Sequence, residues 1–172
     1  MILRSNLRIP EENRGFTLLE VLIALLVLSI GLLGLAALQT IGLRSSQMAT
    51  LRTLAVQETY AITERMRANP EGRTTGHPYY VIGVNDPPPV ILTNCDVLPC
   101  TPKQLAGFDL NQWRAEVGHL PGGKSGIIQE VVGGVTVHTV TVHWNETRDP
   151  AVTGLTCPPA SHTDLRCIQL RL

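Results

Sequence analysis

The stretch Arg14-Gly15-Phe16-Thr17-Leu18-Leu19-Glu20-Val21-Leu22-Ile23-Ala24 opens an apolar run that holds no charged residue from Val21 to Leu43 and stops before Arg44. Leu, Ile, Val, Ala and Gly dominate it. As a helix rising 1.5 Å per residue, the run spans roughly 35 Å, enough to cross a hydrocarbon core of about 30 Å with some tilt. On its N-terminal side, residues 1–14 are polar, with Arg4, Arg8 and Arg14 set against Glu11 and Glu12. A secretory leader has a basic start, an apolar run of about 7 to 15 residues and then a small-residue cleavage site. Here the order is inverted, because the small residue Gly15 precedes the run and a cut there leaves the apolar helix on the mature chain. The three arginines place the N-terminus in the cytoplasm and the C-terminal part on the far side of that membrane. Glu20 is the anomaly: an unpaired acid at mid-bilayer costs about 2.5 to 3.5 kcal/mol, and less near the interface.

Beyond the membrane boundary the helical pattern persists. Met48, Leu51, Ala55, Ile62 and Met66 recur at helical spacing with Thr59 between, while Arg44, Gln47, Arg52 and Glu58 supply polar faces. No proline interrupts residues 16–69, and Pro70 disfavours helix at Asn69. The pattern predicts one helix over 16–69, on the order of 80 Å long. Residues 16–43 form its hydrophobic half and 44–69 its amphipathic half. Ser29, Gly31, Gly34, Ala36 and Ala37 permit close helix approach, or mark a place where the helix loosens, or are ordinary membrane composition.

The chain has 172 residues, 44% hydrophobic and 16% charged, with 14 basic residues against 14 acidic ones. That leaves room for one modest domain beside the long helix. Zero net charge and the lack of a basic patch argue against a nucleic-acid partner.

Residues 70–172 read as a small globular domain. Tyr79–Val84 and Val90–Thr93 are strand candidates separated by Asp86-Pro87-Pro88-Pro89. Thr101-Pro102-Lys103-Gln104 carries an N-cap, a first-turn proline and a capping-box glutamine. Asp109-Leu110-Asn111-Gln112 repeats the cap logic, which predicts a short broken helix through Trp113 to about Val117, ended by Leu120-Pro121-Gly122-Gly123. Ile127–Val132 and Val135–Trp144 flank Gly133-Gly134, a hairpin signal. A switch of alternation near His138 and Thr139 predicts a bulge there. Ile168, Leu170 and Leu172 alternate with Gln169 and Arg171 as a last strand. The expected fold is α+β: a long N-terminal helix packed on a small antiparallel sheet.

The segment Arg14–Ala24 closely resembles the processing and assembly signal of type IV pilins and type II secretion pseudopilins. The resemblance implies that residues 1–15 are a prepilin leader, cut between Gly15 and Phe16 by a prepilin peptidase, with N-methylation of Phe16. It implies that Glu20 pairs with the free terminal amine of a neighbouring subunit during assembly. An intramolecular pair between Phe16 and Glu20, at i and i+4 of a helix, stays open beside it. The chain also resembles the V-type minor pilins, the type IV pilus modification proteins. That likeness is carried by Arg65-Met66-Arg67-Ala68-Asn69-Pro70, by Cys95 to Cys100, by Phe108-Asp109-Leu110 with Trp113, and by Leu120-Pro121-Gly122-Gly123. Major pilins often carry a proline in the apolar half of the helix, which this chain lacks.

Four cysteines allow three disulfide pairings, and sequence alone does not choose. Cys95 with Cys100 and Cys157 with Cys167 close the shortest loops, each contributing roughly 2 to 3 kcal/mol by the chain-entropy model. A four-cysteine zinc site is the alternative, disfavoured by the long Cys157–Cys167 spacer and an oxidising compartment. His138 and His143 point to opposite faces of a regular strand, and His77, His119 and His162 fall in turns or element ends. No nucleophilic serine flanked by glycines, phosphate loop or paired-histidine metal motif appears. Asn145-Glu146-Thr147 is an incidental glycosylation triplet.

The expectation is therefore a non-catalytic structural subunit with no catalytic residue, metal or cofactor. By resemblance it is a minor pilin of the inner membrane, its globular domain in the periplasm, later carried to the pilus and cell surface. It would join a priming or tip complex in type IV pilus assembly and support adhesion and twitching motility. Its partners would be other minor and major pilins, the prepilin peptidase, the pilus assembly platform and inner-membrane lipid. A type II secretion pseudopilin shares the signal, and a single-span periplasmic receptor or enzyme would keep Gly15 uncut.

Overall fold

A computed structural model describes residues 15–74 and 76–172. Arg4, Arg8, Glu11, Glu12 and Arg14, in the segment expected to be a leader, lie outside them. The element order is α1 (Leu18–Ala68), a 3-10 turn (Pro70–Arg73), α2 (Pro102–Gly118), β1 (Lys124–Val132), β2 (Val135–Trp144) and β3 (Arg166–Arg171). A long N-terminal helix with a three-stranded antiparallel sheet is an α+β arrangement. The chain divides into two compact units, one ending at Ser45 and the other running from Ser46 to Leu172.

Within the first unit α1 is continuous through Gly31 and Gly34. An added Cβ at either glycine would meet nothing within 4 Å. Ser29 returns its hydroxyl to the Leu25 carbonyl at 2.7 Å, so its polar group is satisfied inside the helix. Every large apolar side chain from Leu18 to Leu43 is exposed. The helix is long and apolar enough to cross a membrane.

In the second unit, the C-terminal part of α1 buries Leu51, Ala55, Thr59, Ile62, Thr63 and Met66, at the helical spacing of the sequence. Leu51, Ala55, Ile62 and Met66 share one core with Trp113 and Val117 of α2 and with Ile127, Val140 and Val142 of the sheet. Trp113 is nearly fully buried and its indole N–H donates to the Glu58 carbonyl of α1 at 3.0 Å. Thr59 and Thr63 satisfy their hydroxyls on Ala55 and Thr59 carbonyls, one turn back.

The sheet order is β1-β2-β3. Gly133 and Gly134 make the hairpin turn with φ of 59° and 83°, a conformation that favours glycine. Pairing then runs unbroken from Val132↔Val135 to Lys124↔His143, so the expected bulge at His138 and Thr139 is absent. The alternation blurs for another reason: Val135 sits exposed at the hairpin end, whereas beyond Val137 both faces of β2 are covered. Val140 and Val142 enter the core, and His143 on the other face brings Nε2 to 3.1 Å from the Leu155 carbonyl.

Two further expectations are corrected. Neither Tyr79–Val84 nor Val90–Thr93 forms a strand; Ile82 alone pairs, with Ile127. Local turns take the neighbouring donors, Val81 N–H to Pro78 and Asp86 N–H to Gly83, and Pro87–Pro89 have none to give. The helix over 102–118 is unbroken because Asp109 turns its carboxylate to the Tyr80 hydroxyl instead of capping a second helix. The capping box at Thr101 and Gln104 forms in full.

Candidate functional site

Gly15 and Phe16 precede α1, and Thr17 is its cap. The Glu20 N–H donates to the Thr17 carbonyl at 3.1 Å and to its hydroxyl at 3.3 Å, and the Val21 N–H donates to the Thr17 carbonyl at 3.3 Å. Glu20 is thus the third residue of the helix, where a carboxylate is favoured by the helix dipole. The Thr17-x-x-Glu20 spacing is itself a capping signal in the sequence. Because α1 begins at Leu18, Phe16 does not share a helical turn with Glu20, and the premise of an i to i+4 pair is not met in this conformation.

Phe16 is 82% exposed, and Gly15 has open space where a Cβ would stand. The Gly15–Phe16 bond therefore lies in an exposed, non-helical segment directly before the apolar helix. Phe16, Glu20, Val21, Ala24, Leu25 and Leu28 line one surface groove of this unit. Apolar side chains surround a single acid there.

In the second unit Arg65 and Asn69, at the end of α1 and just after it, meet Asp109 in a network that docks α1 on α2. Arg65 lies 3.8 Å from Asp109 and donates to Gln112 Oε1 at 2.8 Å. Asn69 donates to the Pro102 carbonyl at 2.8 Å and to the Tyr80 hydroxyl at 3.3 Å, and accepts from the Gly72 N–H. The Tyr80 hydroxyl donates to Asp109 at 2.6 Å. Burial pushes Asp109 above the ordinary carboxylate range, while Tyr80 and Arg65 pull it back. Burial, then the bond to Asp109, pushes the Tyr80 phenol well above its usual range. These residues position helices, and their chemistry is spent on one another.

Glu146 is a second junction. Its carboxylate, 5% exposed, meets Arg52 of α1 at 2.5 Å and Arg166 of β3 at 3.1 Å. The Arg52 bond is the main cause holding it below the usual carboxylate range. Nothing in the Asn145-Glu146-Thr147 triplet signals this junction, because both arginines come from distant segments.

Cys95 is bonded to Cys100 and Cys157 to Cys167. Among the described residues, no group of three or more His, Cys, Asp or Glu side chains is placed to hold a metal ion. His138 and His143 are both buried, on opposite faces of β2, whereas His77, His119 and His162 are exposed.

Residues 12–36 match the family model of the prokaryotic N-terminal methylation motif. The match covers the Gly15–Phe16 bond, Glu20 and the first part of the apolar run. It indicates a type IV pilin-like or pseudopilin-type protein. Comparison with curated proteins and with solved structures returns no match.

Proposed function

We propose that the chain is a minor pilin, a structural subunit that is cut between Gly15 and Phe16, N-methylated on Phe16 and drawn from the inner membrane into a priming or tip complex of a type IV pilus. The observation that carries this reading is the methylation motif over residues 12–36, seated on a fully exposed apolar helix. An exposed run of this kind needs lipid before assembly and other helices after it. Cleavage frees an amine at Phe16, and the Glu20 carboxylate of a neighbouring subunit neutralises it in apolar surroundings. The globular unit from Ser46 onward faces the periplasm and selects neighbours through its surface. In this reading residues 1–15 are the leader, 16–43 the membrane and filament-core segment, 44–69 the amphipathic part of the helix, and 70–172 the globular domain. The two disulfides suit that oxidising compartment.

Mass spectrometry of the mature N-terminus tests the processing step: the reading expects methylated Phe16 as the first residue, and an intact Met1 on functional protein overturns it. Co-purification of the processed subunit then separates the machines. Recovery with pilins of a type IV pilus supports the proposal, and recovery only with secretion pseudopilins replaces it.

A further inference from the structure

The sheet ends at β3 with one side of that strand's backbone unspent. His138 and Leu172 exchange both backbone bonds, His138 N–H to the Leu172 carbonyl at 3.0 Å and Leu172 N–H to the His138 carbonyl at 2.9 Å. In an antiparallel ladder such pairs alternate with pairs that exchange none. The register from Thr139↔Arg171 to Trp144↔Arg166 therefore turns the backbone groups of Leu170, Ile168 and Arg166 toward β2, and those of Arg171, Gln169 and Cys167 away from it. No strand lies beyond β3 in the sheet, and among the described residues no backbone group bonds to the outward N–H and C=O groups of these three. Proline, a bulge or an inward-pointing charge commonly blunts such an edge. β3 has no proline, its pairing is unbroken, and Arg166 is committed to Glu146.

The side chains along this edge divide by face. Ile168 and Leu170 stand opposite Val142 and Val140 on the core side, yet both stay partly exposed. Arg52 ties α1 to the start of β3 through Glu146, and Val56 and Tyr60 follow it at i+4 and i+8, both exposed. On the other face Gln169 and Arg171 are exposed; Gln169 donates to the Thr141 hydroxyl at 3.2 Å, whereas Arg171 has no ion-pair partner among the described residues.

We propose that the open edge of β3 receives an extended segment of another protein as a fourth strand, one that alternates apolar with acidic residues. Outward N–H and C=O groups at every second residue match the backbone of an extended chain. Side chains directly opposite in a sheet share a face, so one set of the added strand covers Ile168 and Leu170 and must be apolar. The other set stands beside Arg171, where an acid supplies the missing counter-charge. The edge belongs to the globular unit, so this binding is independent of cleavage at Gly15–Phe16.

The test uses the full-length chain in detergent micelles and follows backbone amide exchange by NMR. The probe is a capped peptide in which valines alternate with glutamates. One control peptide carries lysine for glutamate, and another is N-methylated on every backbone amide. The expected result is saturable protection of the Gln169 and Arg171 amides, with those of Ile168 and Leu170 already protected without peptide. Binding should be at least tenfold weaker for the lysine peptide and lost for the N-methylated one. Gln169→Pro removes an outward N–H that the sheet does not use, a place where an edge strand tolerates proline, and should weaken binding at least tenfold. If that variant does not fold, Arg171→Glu keeps the ladder and should reverse the preference from glutamate to lysine peptide. No protection at Gln169 and Arg171, an equal response to the lysine or N-methylated peptide, unaltered binding in folded Gln169→Pro, or an unreversed preference in Arg171→Glu overturns the proposal. Protection that appears without peptide and grows with protein concentration overturns it too, by assigning the edge to a second copy of this chain.

Discussion

The Tyr80 hydroxyl donates to the Asp109 carboxylate at 2.6 Å and so ties the segment after the 3-10 turn to the middle of α2. Tyr80 is fully buried and Asp109 is nearly so. Tyr80→Phe keeps the ring and removes the donor, leaving a buried carboxylate oxygen short of a partner. The expected loss is about 1 to 3 kcal/mol, read as a lower urea midpoint at neutral pH. The bond from Tyr80 lowers the Asp109 pKa against the effect of burial, so Tyr80→Phe should raise that pKa further. A carboxyl NMR titration of Asp109 checks the direction.

The buried histidines set an acid limit on the globular unit. Burial lowers the pKa of both His138 and His143, helped at His138 by Arg73; at His143 the Leu155 carbonyl opposes it. The folded state therefore binds fewer protons than the unfolded state as pH falls through about 6.5, the unfolded value. Their contribution is complete above that pH and declines below it. Melting temperature should fall between pH 7 and pH 5, and the double variant His138→Gln, His143→Gln should show a flatter profile. An identical slope in the variant would remove the histidines as its cause.

Much of this architecture was legible from residue pattern. Leu51, Ala55, Thr59, Ile62 and Met66 mark the buried stripe of α1, Gly133-Gly134 marks the hairpin, and Thr101 with Gln104 marks the start of α2. Periodicity and capping are local signals, so they survive without knowledge of tertiary contacts. The errors arose where tertiary partners decide. Asp109 looks like a cap until Tyr80 arrives from another segment, and the alternation in β2 looks broken until a second covering layer is known. At the N-terminus, Gly15, Phe16 and Glu20 were legible as a pattern, whereas the Thr17 cap was present in the sequence and overlooked.

Gly123 is required by close approach. A Cβ there would stand 1.9 Å from the Val117 carbonyl oxygen, at the exit of α2. Gly118, the last residue of α2, has open space at the same position. Gly123→Ala should force the turn apart and lower the melting temperature sharply, whereas Gly118→Ala should be neutral or stabilising by up to about 1 kcal/mol. Thermal melts of the two variants side by side make the comparison.

The disulfides act on different segments. Cys157–Cys167 fastens the loop after β2 to β3, beside the Leu155 carbonyl that meets His143, whereas Cys95–Cys100 closes a loop with exposed Val97 and Leu98. Chain entropy assigns each about 2 to 3 kcal/mol. Replacing Cys157 and Cys167 by serine should expose the β3 side to protease and reduce amide protection along β2. The Cys95, Cys100 pair replaced in the same way should leave β2 protection unchanged. Hydrogen exchange on each variant distinguishes the two.

Glu20 tests the assembly chemistry most directly. Its carboxylate is exposed at the third position of α1, and its N–H is already satisfied by Thr17, so the side chain is not needed to close the first turn. Glu20→Ala loses only the interaction with the helix dipole, about 0.3 to 1 kcal/mol, and removes a charge from an apolar segment. Membrane insertion should therefore be preserved or improved. Recovery with other pilins should nevertheless fall, because a neighbour's freed amine would be buried without its counter-charge, and breaking such a pair costs several kcal/mol. Glu20→Gln should behave like the alanine variant if charge is what matters. Normal incorporation of both variants into pili, measured against equal amounts in the membrane fraction, would remove Glu20 from the assembly step and leave it only its interaction with the helix dipole.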